Sequence, residues 1–285
     1  MASPAVRHKL NRSSDTSRLP SPAVWGDFPW LAIQAGELNG VLFADDFADF
    51  PLVGTQTTQI NHGRYKLYAA SGCSIAPVSA VNSVELGGGA LAINTDTDND
   101  EASIAQSYPG FLLTGLNSNS GKLCFECCYA QKSVATNMAS TFIGLAETEL
   151  FTLGSNVPHN SGDAIDASGA LIGFRIEEDG LGVVDTVYSD RATSFTNVGD
   201  TEGGTLVAYT FKKLGFVYDP EKSSNCITFF ADNVELSTKL SRSTLTGLTN
   251  LDANALGLLW SVAADSAGTS FSGYLKWWRC GQLLP

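Results

Sequence analysis

The feature that most constrains the fold is the run Phe211-Lys212-Lys213-Leu214-Gly215-Phe216-Val217-Tyr218-Asp219-Pro220, followed shortly by Cys226-Ile227-Thr228-Phe229-Phe230-Ala231-Asp232-Asn233-Val234-Glu235-Leu236. It reads as a strand, a Pro-containing turn and a second strand. A tight Asp232-Asn233 reversal then leads into a third. Further candidate strands are spaced along the chain at 64–69, 83–86, 90–94, 104–111, 122–130, 140–147, 170–177, 182–188, 205–218, 226–231, 234–240, 255–262 and 271–283. In the stretch 123–129, Leu123, Phe125, Cys127 and Tyr129 share one face, the period-two pattern of a strand. No long stretch carries the spacing of an amphipathic helix, and only 142–153 and 243–251 leave room for a short helical turn. Roughly a dozen strands with Gly- and Asn-rich turns predict an all-β, antiparallel jelly-roll sandwich over 41–285. Residues 1–40 form an extended N-terminal arm before it.

A 285-residue chain with 44% hydrophobic residues and 15 Phe has material for one large core. Charged residues are only 16%, below the roughly 25% of typical soluble domains, so Ser, Thr, Asn and Gly must cover much of the surface. The net charge of −12 is uneven. Residues 1–24 carry Arg7, Lys9, Arg12 and Arg18 against Asp15 alone, a net of +3; the remainder holds 13 basic and 28 acidic residues, a net of −15. An acidic body repels phosphates, which argues against nucleic acid as a partner. A basic arm on it suggests a tail that docks onto a partner surface, or else a terminus without consequence. Pro4, Pro20 and Pro22 argue against a helix at its start. Trp25, Phe28, Trp30, Leu31 and Ile33 then form an aromatic-rich patch, either where the arm grips the body or a neighbour, or a first core strand. Neither a secretory leader nor a membrane span of about 20 apolar residues is visible.

Catalytic chemistry has little to stand on. Glu147-Thr148-Glu149 is the nearest approach to the paired carboxylates of a glycosidase, which sit about 5–5.5 Å apart in the retaining class. Asp163 and Asp166 lie in a Gly/Ser loop. His8, His62 and His159 occupy polar segments with no Gly-x-Ser-x-Gly motif to partner them. We therefore expect no enzyme and no cofactor. Asp96, Asp98 and Asp100 in the acidic run 96–101 are a weak calcium candidate. The run is not an EF-hand, because its sixth position is Glu101 and its twelfth Ser107; the plain alternative is a solvated turn. Gly87-Gly88-Gly89 is a turn. Six cysteines read as small buried hydrophobes, with Cys124 and Cys127 half of a zinc site at most. Of the adjacent Trp277 and Trp278 one must be core, and the other is expected as an interface anchor; with Trp260 they are also the candidates for stacking on sugar rings.

Taken in order, the strands resemble the concanavalin A-like (laminin G-like) sandwich proteins that tailed bacteriophages encode as virion structural components. The resemblance rests on Phe125-Glu126, on Phe142-Ile143-Gly144-Leu145-Ala146, on Gly173-Phe174 and on the 213–220 run. It continues through the turn at Asp232-Asn233 to Leu275-Lys276-Trp277-Trp278-Arg279 and Gln282-Leu283, and spans roughly 41–284. It implies a non-enzymatic capsid decoration or cement protein that bridges capsomers on the outside of the shell, or a head-fibre or tail component. The major capsid protein and further copies of the chain, as a trimer, would be its partners. Arg7, Lys9, Arg12, Arg18, Trp25, Phe28 and Trp30 of the arm would grip the capsid. The family supplies no catalytic residues; that no metal, membrane or nucleic acid is bound is expected from the residues, the hydropathy and the charge read above. Where its pattern has Gly after the Asp of the penultimate hairpin, this chain has Asn233, which is tolerable because Asn visits φ > 0, so the departure puts nothing functional in doubt. A carbohydrate-binding, lectin-like module is the alternative.

Overall fold

The computed structural model describes residues 19–47, 50, 56–70, 72–78, 89–95, 101–114, 121–135, 139–151, 157, 165, 169–177, 181–192, 194–264 and 270–284. Its strands are β1 (Gly40–Asp45), β2 (Gln56–His62), β3 (Tyr65–Ala69), β4 (Ser74–Pro77), β5 (Leu91–Thr95), β6 (Glu101–Gln106), β7 (Leu123–Gln131), β8 (Ala139–Glu147), β9 (Ala170–Ile176), β10 (Val184–Asp190), β11 (Thr196–Gly199), β12 (Lys212–Tyr218), β13 (Ile227–Ala231), β14 (Val234–Leu240), β15 (Leu256–Ala264) and β16 (Phe271–Leu283). Short helices are α1 (Pro22–Trp25), α2 (Trp30–Gln34), α3 (Arg242–Thr246) and α4 (Thr249–Ala253), with a 3₁₀ turn at Thr148–Phe151.

The strands form two antiparallel sheets of eight. The first runs β14-β13-β12-β7-β16-β5-β4, with β1 also on β16; the second runs β11-β10-β9-β8-β15-β6-β3-β2. The 13-residue β16 is the spine of the first sheet. One edge lies along β7 and the other is shared, with Phe271–Leu275 on β5 and 278–283 on β1.

Alternation decides what lies between the sheets. Leu123, Phe125, Cys127 and Tyr129 of β7 all enter the main core, as their period-two spacing predicts. Phe125 stacks on Phe216 with centroids 5.1 Å apart, and Phe216 and Phe174 each meet Phe229 at 5.8 Å. Each such ring contributes roughly 1.5–3 kcal/mol through burial. A register shift between Leu275 and Trp277 places a bulge at Lys276. Trp278 faces the core and donates its Nε1–H to Tyr65 Oη at 3.2 Å. Trp277 is buried as well, with the Arg279 guanidinium 4.4 Å from its ring, so neither tryptophan is exposed as an interface anchor. Trp260 is also fully buried.

The outer face of the second sheet is not bare. Phe142, Ala146, Leu171, Val187 and Leu259 on that face pack under Leu150, Val157, Ile165 and Phe195 from the connecting segments.

Candidate binding surface on the outer face of the first sheet

Glu126 breaks the apolar run of β7, and its side chain points away from the core. Only 1% exposed, it demands partners. The N-terminal segment supplies them. Ser21 N donates to both carboxylate oxygens, at 3.3 and 3.1 Å, and Trp25 Nε1 donates to Oε2 at 2.8 Å. Pro22 at the first helical position starts α1 directly after Ser21, so helix geometry sets the spacing of these two donors. Burial raises the Glu126 carboxyl above its ordinary value, opposed by the bonds from Ser21 and Trp25 and by the charge of Lys213.

Around this contact Val24, Trp25 and Phe28 pack on Cys124, Val217 and Phe230, with Trp30, Ile33, Leu42 and Leu283 at the margin. Phe28 and Trp30 both meet Trp25 edge-on, at 5.4 and 5.2 Å. Two strand glycines make room. A Cβ on Gly215 would lie 2.7 Å from Phe125 O and 3.2 Å from Glu126 Cγ, and one on Gly281 would lie 2.7 Å from the Phe28 ring. The Cys124 thiol lies beneath, donating to Val24 O at 3.2 Å; burial pushes it up to about 12.

Two further bonds fix the segment. Asn233 Oδ1 accepts from Ala23 N at 2.8 Å, and Lys213 Nζ donates to Leu19 O at 2.7 Å. Asn233 is in the left-handed region at φ 69°. Glycine would serve the turn equally well but would lack this acceptor.

Beside α1 lies a groove of about 370 Å³, walled by Ala23 and Asp27 on one side and by residues of β12, β13 and β14 on the other. Val217 and Phe230 are the apolar side chains of the sheet among its lining.

Of the arm residues singled out by sequence, Trp25 and Phe28 are buried against this chain's own sheet and Trp30 is half-buried. The aromatic patch thus grips the body, as two short helices and not as a strand. Arg7, Lys9, Arg12 and Arg18 lie outside the described residues, as do Asp96, Asp98, Asp100, Asp163, Asp166, His8, His159, Gly87, Gly88 and the candidate strand 83–86. Glu147 is held by Arg191 through two bonds, of 3.0 and 2.9 Å, and accepts from Ala170 N at 2.6 Å. The Glu149 side chain is not described. Exposed His62 ends β2, its ring 6.1 Å from that of Phe50. Cys124 belongs to the surface cluster and Cys127 to the core, so they face apart; all six cysteines are buried and none is in a disulfide. Among the described residues no group of acidic, His and Cys side chains could hold a metal ion, and no helix is long and apolar enough to cross a membrane.

Sequence reasoning missed the Glu126 contact, although a lone carboxylate in the apolar run 123–129 was its signal.

No protein-family model and no curated protein matches the chain. Solved structures do. An endo-1,3-β-glucanase from Streptomyces sioyaensis is similar over 87% of this chain and 98% of its own, with a TM-score of 0.52 at 13% identity. Peanut lectin matches over 87% and 99%, with a TM-score of 0.53 at 10% identity. The catalytic domain of a laminarinase from Thermotoga petrophila RKU-1 matches over 86% and 99%, again at 0.53 and 10%. The chain has a concanavalin A-like jelly-roll fold. At these identities the likeness is one of fold alone, and the same scaffold carries lectins and glucanases.

Proposed function

We propose that the protein is a non-enzymatic structural component of a tailed-bacteriophage virion, a decoration protein that attaches to the outer capsid surface as one of several identical copies. The observation that carries this reading is the anchored root of the N-terminal segment. Glu126, Asn233 and Lys213 pin residues 19–25 to one face of the sandwich. The preceding 18 residues, with Arg7, Lys9, Arg12 and Arg18 against Asp15, are therefore delivered from a fixed point on an acidic body. A basic tether with a fixed origin suits an acidic shell lattice, where many copies of one contact act together. The ordered resemblance of the strands to phage sandwich proteins supports the same assignment.

The test is copy number. Particles purified on a density gradient from an infected lysate are quantified by mass spectrometry for this chain against the major capsid protein. Hundreds of copies per head, in a simple ratio to the shell protein, are expected. Absence from particles would overturn the assignment.

A further inference from the structure

We infer that copies of this chain associate by exchanging straps, residues 19–33 of one copy lying on the outer face of the first sheet of its neighbour. The strap is firmly held at one end and loosely joined at the other. Val24, Trp25 and Phe28 are buried, and Ser21 N and Trp25 Nε1 bond to Glu126. Residues 34–39, which link the strap to β1, are by contrast exposed without a break. α2 contributes no buried residue. The N–H groups of Ala35, Gly36, Glu37 and Leu38 bond back to the carbonyls of Leu31, Ala32 and Ile33, and the chain is next tied to the body where Leu284 N donates to Asn39 O. Gly36 takes a φ of 75°, and a Cβ there would meet nothing within 4 Å. Extended, a link of this length spans roughly 20 Å, enough to carry the strap from one body to another.

The surface that receives the strap is the same on every copy. The bonds to Glu126, Asn233 and Lys213 therefore form equally well between copies as within one. The corner where the link begins tips the balance. Leu31, Leu38 and Leu284 are 78%, 46% and 42% exposed there, and the run 30–36 carries no charge. On a closed monomer these side chains stay in water; two bodies joined by their straps meet at this corner and cover them. The area fits as well. Aromatic side chains bury roughly 150–250 Å² each, so a strap carrying Trp25 and Phe28 hides several hundred Å² and about as much of the sheet beneath it. A reciprocal pair of such contacts reaches the roughly 1,200–2,000 Å² of a stable interface. The partly exposed leucines offer less than the two aromatic side chains and fall short of that on their own, which favours an exchanged strap over simple docking at the corner. Exchange would join the identical copies of the proposed decoration protein, but it is read without phage heads, so either can fail alone.

The experiment uses the full chain. Light scattering after gel filtration at micromolar concentration should give a whole-number multiple of the single-chain mass, two or more. Trp25→Ala, checked by circular dichroism for intact sheets, should return it to one. A disulfide then reports whose strap lies on whose sheet. Val24 and Cys124 belong to one cluster, with Val24 O 3.2 Å from Cys124 Sγ, so Val24→Cys brings a second thiol to Cys124. The double variant Val24→Cys/Cys124→Ala is co-expressed with the native chain and mildly oxidised. It carries a thiol on its strap and none beneath it, so a covalent dimer with the native chain forms only by exchange, and that dimer is expected. Val24→Cys alone is the control that the bond closes. Should these substitutions disturb the cluster, the masses of the native chain and Trp25→Ala still decide. A monomeric native chain overturns the inference. So does an oligomer that persists in Trp25→Ala, and so does a Val24→Cys chain that closes its bond only within one molecule.

Discussion

Glu126 links the sequence of β7 to what the outer face of the sheet can do. Its carboxyl lies above the ordinary carboxylate value in the folded chain, so folding favours the protonated form. The stability it contributes is complete below the ordinary value and is lost as pH rises through the raised one. Urea midpoints measured across that window should show the native chain losing stability relative to Glu126→Gln as pH rises; a difference that moves the other way would contradict the account. Glu126→Ala, which leaves Ser21 N and Trp25 Nε1 without their acceptor, should cost roughly 1–3 kcal/mol. Asn233 separates two roles in one residue. Asn233→Gly keeps the positive φ and removes the bond to Ala23, so the hairpin should persist by NMR. Hydrogen exchange at Ala23 should rise by the equivalent of about 1 kcal/mol.

At the scale of elements, the strap of α1 and α2 was the least legible part of the chain. Four- and five-residue helices are too short for a 3.6-residue period to emerge, and Pro22 reads as a breaker until its place at the first helical position is known. The strands that sequence missed share a cause. β2 and β11 are the edges of the second sheet and β4 an edge of the first. Edge strands are freed from two-sided burial, and Gln56–His62 is accordingly almost wholly polar. Conversely, the apolar stretch 205–211 reads as the start of a strand but is a loop, with Tyr209 at φ 59° and β12 beginning at Lys212. The strap offers its own reporter, since Cys124 lies beneath α1. Alkylation at pH 8, resolved by mass spectrometry, should be slow at Cys124 in the native chain. Trp25→Ala, which removes a largely buried indole at a cost of about 3 kcal/mol, should accelerate it selectively. Equal acceleration at all six cysteines would mean global unfolding and not release of the strap.

For the whole molecule, the sandwich could be read from the chain because its central strands carry strict signals. The β7 alternation, the aromatic β12–β13 pair and the long β16 are each buried on at least one face, which forces a period of two. What could not be read is any property of a surface assembled from distant segments. Ser21, Glu126 and Asn233 lie about a hundred residues apart in sequence and meet only in the fold. That meeting also fixes where the chain can be cut. Residues 21–25 belong to the packed body, so a truncation meant to remove the tether must end at residue 18.

The most direct test of the anchored basic tether is co-sedimentation of this chain with phage heads that lack it, comparing the full sequence with a truncation of residues 1–18. The account predicts that the truncated chain keeps the melting temperature of the full one and fails to pellet with heads. A truncated chain that still coats heads at full occupancy would contradict it.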